Sequence, residues 1–159
     1  MGIGTDTVPP DMLAEMRMAS TLSKLADNDP RSGSAAAVFN AATLGGAKAL
    51  GRDDLGKLEP GSKADIAIFN LRALHIGVVD DPIKALVHYA SGSDTDRVIV
   101  NGRTVVEEGR VLGLDENELL GDAQRVWTRY KERLCARDPL KRQSQELYPS
   151  TFPSNKTHE

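Results

Sequence analysis

Asn101-Gly102 is the feature that most narrows what this chain can fold into. It lies between two β-branched runs, Arg97-Val98-Ile99-Val100 and Arg103-Thr104-Val105-Val106-Glu107. A two-residue hairpin connection needs positive φ at both central positions, and Asn-Gly supplies this at low steric cost. Glu108-Gly109-Arg110 offers a second turn, with Val111 and Leu112 opening another short strand. Upstream, Leu58-Glu59-Pro60-Gly61-Ser62 is a turn signal and Ala64 to Asn70 reads as a strand. Alternation puts Ile66 and Ile68 on one face and Asp65, Ala67 and Phe69 on the other. These few short strands cannot close a sandwich by themselves, and their edges need partners.

The remaining periodic segments are helical. From Asp11 to Leu25, the residues Met12, Leu13, Met16, Ala19, Leu22 and Leu25 form a stripe at three- and four-residue spacing. Pro10 and Asp11 suit a helix start, and Asp27-Asn28-Asp29-Pro30 is expected to end it, because the residue before proline is pushed out of the helical region. A second helix is predicted over Gly33 to Ala42, capped by Ser32 or Ser34 and stopping near Leu44-Gly45-Gly46. A third, Ala47 to Leu50, should end at a left-handed Gly51. Asp80-Asp81-Pro82 opens a helix over Ile83 to Ala90, followed by a loop at Ser91-Gly92-Ser93. Glu116 to about Ala136 is a long helix with Leu119, Leu120, Ala123, Val126, Trp127, Tyr130 and Leu134 along one side. Beyond Pro139 the periodicity is lost, and a loosely draped or disordered tail is expected.

Composition excludes several function classes. Twenty Lys and Arg against 23 Asp and Glu give a net charge of -3, so no basic surface points to nucleic acid or anionic lipid. The single cysteine, Cys135, rules out a disulfide framework or a Cys-rich metal site within the chain and fits a reducing cytosol. No apolar run approaches the roughly 20 residues a membrane helix needs, and no basic-then-apolar leader is visible at the start. The expectation is a cytoplasmic globular protein.

Asp6, in the Gly-flanked opening Gly2-Ile3-Gly4-Thr5-Asp6-Thr7-Val8-Pro9-Pro10, is the candidate for chemistry. The competing reading is a cap for the helix that begins near Pro10. Thr5 and Thr7 flank it as loop residues, and Pro9, Asp11 and Met12 receive no role. His75, His88 and His158 form no His-x-His pair and read as surface or satisfied histidines. Glu15 and Arg17 read as a solvated or ion-paired helix face, and Cys135 as a packing residue.

Three stretches together resemble the amidohydrolase superfamily, in its deaminase and chlorohydrolase branch. They are GIGTDTVPPDMLAEMRMA at the start, NAATLGGAKALGRDDLGKLEPGSKADIAIFNL from Asn40 to Leu71, and DRVIVNGRTVVEEGRVL from Asp96 to Leu112. The resemblance implies an α/β fold: the C-terminal fragment of a (β/α)8 TIM barrel plus part of a small composite β-sandwich. Residues 1–52 would end the barrel, 53–114 belong to the sandwich, 115–138 form the last helix and 139–159 the tail. It implies that Asp6 is both the catalytic carboxylate and a metal ligand, shuttling a proton from activated water. The full-length relative would hold a divalent metal, zinc first and iron second, which this chain alone would not bind tightly. The reaction implied is hydrolysis of a C–N bond, or carbon–halogen in the triazine branch, of a purine, pyrimidine or triazine-like ring. The expected partners are a small heterocyclic substrate and a complementary N-terminal chain or a homo-oligomer, with neither nucleic acid nor membrane. The isolated chain is expected to be inactive, as the C-terminal part of a larger enzyme. The alternative is a non-catalytic truncated product or one half of a split enzyme.

Overall fold

The computed structural model describes residues 1–6 and 10–152. Thr7 and Pro9, and the tail residues from Pro153 to Glu159 including His158, lie outside the described residues. The chain divides into two compact units, Met1–Leu112 and Gly113–Glu159.

The first unit pairs a helical layer with one sheet. Helix α1 spans Met12–Asp27, and its N-cap is Asp11, whose Oδ1 accepts the Leu13 and Ala14 amides at 2.9 and 3.2 Å. It ends at Asn28 in a left-handed conformation, φ 49°. The stop is therefore an Asn cap two residues ahead of Pro30 rather than the proline's restriction. The buried line runs Leu13, Met16, Ser20, while Leu22 and Leu25 at the far end are exposed. Ser20 can be buried because its Oγ donates to the Gly33 carbonyl at 2.6 Å. Gly33 itself is not helical: its φ is 56°, and a Cβ there would lie 2.7 Å from the Ser23 side chain. Ser34 is the cap of helix α2, Ala35–Asn40, its Oγ accepting the Ala37 amide.

Gly45-Gly46 does not break the helix. The chain continues from α2 through a π-helical turn, Ala41–Gly45, into helix α3, Gly46–Ala49, before Gly51 turns left-handed at φ 66° as expected. The reason lies in the opening residues, taken up below. Helix α4, Pro82–His88, is capped by Asp81, whose Oδ1 accepts the Ile83 and Lys84 amides. A short 3-10 turn, Gly92–Asp94, stands where a plain loop was expected, because Asp94 Oδ2 accepts the Ser91 amide and hydroxyl. The core of the unit joins α1, α2 and α4 through Leu13, Met16, Val38, Leu86 and the fully buried Val87, with Phe69 and Leu71 packed against it from the sheet side. Burying each such side chain contributes about 1.5–3 kcal/mol before entropy is counted.

The sheet is an antiparallel meander in the order β1-β2-β3-β4: Ile66–Phe69, Thr95–Val100, Arg103–Glu107 and Arg110–Val111. Register is set by pairs such as Ile66 with Ile99 and Val100 with Arg103. Both tight turns use the positive φ their residues permit: Asn101-Gly102 at 48° and 81°, Glu108-Gly109 at 51° and 74°. Asp65, just ahead of β1, fixes the first turn, its Oδ1 accepting the Asn101 amide at 2.6 Å.

The second unit is built on helix α5, Glu116–Arg137, capped by Asp115. The segment read as aperiodic carries a one-turn helix α6, Ser144–Leu147, held by a reciprocal cap between Gln143 and Glu146. Tyr148 meets Trp127 edge-on at 5.7 Å. Among the described residues no helix is long and apolar enough to cross a membrane.

Candidate functional site

The opening residues lie along the helix that glycine might have broken. The Ile3 amide donates to the Ala41 carbonyl at 3.3 Å, and Ile3 packs against the core. A Cβ on Gly45 would collide with the Met1 carbonyl, and one on Gly2 would sit 3.3 Å from the Gly45 carbonyl. The Gly45 position is thus a place of backbone-to-backbone approach rather than a helix end. Residues 1–6 form no sheet ladder among the described residues.

This seating carries the chain to Thr5, half-buried, and then to Asp6, which is exposed and has φ 53°. Left-handed backbone is uncommon outside glycine, and Asp is among the side chains that tolerate it. Five residues later, Asp11 fills the capping role that competed for Asp6. Its carboxylate is shared. Oδ1 closes the first turn of α1, and Oδ2 accepts the Gly92 amide at 3.0 Å from a segment 81 residues away. Desolvation pushes the Asp11 pKa up, but the Gly92, Ala14 and Leu13 amides and the Arg17 charge outweigh it, leaving it below the ordinary carboxylate value.

Arg17 is not a solvated or ion-paired helix face. Its Nε donates to the Val87 carbonyl at 3.3 Å and its Nη2 to the Ala90 carbonyl, satisfying groups at the C-terminal end of α4. Nothing local in Glu15-Met16-Arg17 announces this, because the acceptors lie 70 and 73 residues away. Beside Asp11 is a mainly apolar cavity of about 390 Å³ between the helices and the sheet, lined by Met12, Met16, Phe39, Phe69 and Leu86 with Thr95.

The histidines stand apart from Asp6 in role. His75 Nε2 lies 3.1 Å from Asp94 Oδ2 on an exposed loop. His88 ends α4. Burial first, then Lys24, Arg17 and Lys84, hold its pKa below the ordinary imidazole value. Zinc centres take three or four N, S or O donors. Among the described residues no three His, Cys, Asp or Glu side chains come together to hold an ion. The described residues by themselves therefore do not make up such a donor set.

A sequence model of the amidohydrolase family matches residues 1–105. The chain belongs to that family. A 5-methylthioadenosine/S-adenosylhomocysteine deaminase of Pelotomaculum thermopropionicum is 42% identical over 129 residues, which are 79% of this chain and 30% of that protein. A 5'-deoxyadenosine deaminase of Methanothermobacter thermautotrophicus is 42% identical over 110 residues, 69% of this chain and 26% of the relative. The chain thus spans about a third or less of the length of these curated amidohydrolase relatives. Among solved structures, an adenosine deaminase from Xanthomonas campestris with bound zinc superposes with a TM-score of 0.72 at 31% identity, covering 74% of this chain and 27% of that one. Atrazine chlorohydrolase from Arthrobacter aurescens TC1, complexed with zinc, gives 0.63 at 32% identity, covering 71% and 25%. The mixed helix-and-sheet organisation is that of a segment of these amidohydrolases.

Proposed function

We propose that this chain is the C-terminal share of an amidohydrolase that deaminates an adenosine-type nucleoside, with Asp6 as its proton-transferring carboxylate and one ligand of its metal. In this reading residues 1–52 close a (β/α)8 barrel, and residues 53–114, with β1 to β4, belong to a small β-sandwich. The observation that carries it is the division of labour at the start of the chain. Asp11 caps α1, while Asp6 is exposed in left-handed backbone on a segment seated against the π-helical turn. Backbone held in a sparsely populated region concentrates at functional sites.

A divalent ion, zinc as in the crystallised relatives, would supply Lewis acidity toward water. In the reaction water adds to the ring carbon that bears the amine, the C–N bond breaks, and ammonia leaves. Asp6 would accept the proton from water and return it to the departing nitrogen. The deaminase names of the relatives support the purine-nucleoside class over pyrimidines. The chlorohydrolase likeness keeps a triazine carbon–halogen bond as the second reading. The chain alone is proposed to be inactive, its remaining ligands lying on other sequence. The lone Cys135 supports a reducing, cytoplasmic setting.

The test is a graft. This chain replaces the matching segment of the Pelotomaculum thermopropionicum deaminase, and ammonia release from 5-methylthioadenosine is measured. Activity is expected in the chimera, and Asp6→Asn should reduce it on the order of a thousandfold. A chimera that keeps its turnover after Asp6→Asn would refute the assignment. Turnover of atrazine in place of the nucleoside would favour the second reading.

A further inference from the structure

Asp6 is exposed, so its place is set by the segment that carries it more than by packing around its own side chain. That segment is gripped three residues earlier. Ile3 is half-buried, with its side chain against the core cluster of α1, α2 and α4 and its amide on the Ala41 carbonyl at 3.3 Å. Ala41 opens the π-helical turn, and the last residue of the same turn, Gly45, faces the Met1 carbonyl. One turn of helix thus meets the opening segment twice, with a carbonyl at one end and an absent side chain at the other. Such π-helical turns are rare and collect at functional sites.

We propose that Ile3 is a positioning residue for the reaction: held between the core and the π-helical turn, it fixes the depth at which Asp6 stands. This role rests on the reading of Asp6 as the proton-transferring carboxylate. Ile3 touches no reacting atom and acts through backbone alone. Three residues reach at most about 10 Å, so a shift at Ile3 is passed on with little slack. A misplacement on the order of 1 Å at a catalytic group costs about a hundredfold in rate. Ile3→Ala would loosen the grip from the core side, and Gly45→Ala would push the segment off from the helix side.

The test uses the chimera with the Pelotomaculum thermopropionicum deaminase, which carries the full chain, and 5-methylthioadenosine as substrate. Ile3→Ala should lower kcat about ten- to a hundredfold and leave KM within about twofold, because proton transfer belongs to the transition state and substrate binding does not. Ile3→Val should recover most of the loss. Val38→Ala opens a cavity in the same core cluster from α2 and controls for lost packing; it should keep kcat within about twofold. Gly45→Ala should behave like Ile3→Ala. Gly46→Ala should not, since a Cβ there meets nothing within 4 Å. Ile3→Ala with Gly45→Ala should lose less than the product of the two single losses, because both act through one segment. Amide exchange of α1 and α4 on the same preparations measures any unfolded fraction. With Asp6→Asn inactive, this proposal alone is overturned by an Ile3→Ala loss no greater than that of Val38→Ala, by one that falls on KM, or by one that the unfolded fraction accounts for. Gly45→Ala no worse than Gly46→Ala overturns it too. A chimera without turnover, or one that Asp6→Asn leaves active, overturns the reading of Asp6 and this proposal with it.

Discussion

Asp11 offers the sharpest test of how the first unit is held. Its two oxygens do separable work: Oδ1 caps α1, and Oδ2 takes the Gly92 amide. Removing a cap costs about 1 kcal/mol, and losing a hydrogen bond to a charged acceptor costs about as much where water can replace the partner. Asp11→Ala should therefore lower the stability of the first unit by about 2 kcal/mol. Asp11→Asn keeps an acceptor for the cap but turns an amide NH2 toward the Gly92 N–H, so it should lose about 1 kcal/mol. The only tryptophan, Trp127, lies in the second unit. The assay is accordingly amide hydrogen exchange of α1 and α4 under a urea series, read by mass spectrometry. The pH arm follows from linkage. The folded pKa of Asp11 is depressed, so its contribution is fully present above the unfolded value of about 3.9 and is lost as pH falls through the folded value. The gap between wild type and Asp11→Asn should shrink below about pH 4. Asparagine as costly as alanine, or a gap that does not change with acid, would refute the shared-carboxylate argument.

Three further outcomes are expected. Gly45→Ala should displace the opening segment, seen as faster exchange at the Ile3 amide while the α1–α4 core keeps its protection. Asp65→Ala should cost about 1 kcal/mol and loosen the Asn101-Gly102 turn, seen as faster exchange at the Asn101 amide. Gly121→Ala should raise the thermal stability of α5 by about 0.5–1 kcal/mol in circular dichroism, because the added Cβ meets nothing nearer than the Arg125 guanidinium at 3.6 Å.

Local signals made much of the fold legible. Asn101-Gly102 determined a hairpin because its φ requirement is a property of two residues, and Asp81-Pro82 marked the start of α4 for the same kind of reason. Sequence reading failed where the determinant lay elsewhere in the chain. Gly45 looked like a helix terminator because nothing nearby shows that Met1 needs its empty side. Leu22 and Leu25 fit the stripe of α1, yet the buried line turns through Ser20, which only the Gly33 carbonyl makes tolerable. At the candidate site, Asp6 was legible as a carboxylate among glycines. The assignment of capping to Asp11, with its reach to Gly92, was only half legible: the helix start was plain but the distant amide was not.

The two clasps of α1 differ in chemistry. Near its start, α1 is held to the Gly92 turn through a carboxylate that titrates; further along, it is held to the end of α4 through Arg17, and arginine keeps its charge throughout. Acidification releases the first clasp and leaves the second. The first motion acid should permit is a parting of the Gly92 turn from the start of α1, while Leu13 and Met16 keep that end of the helix packed in the core.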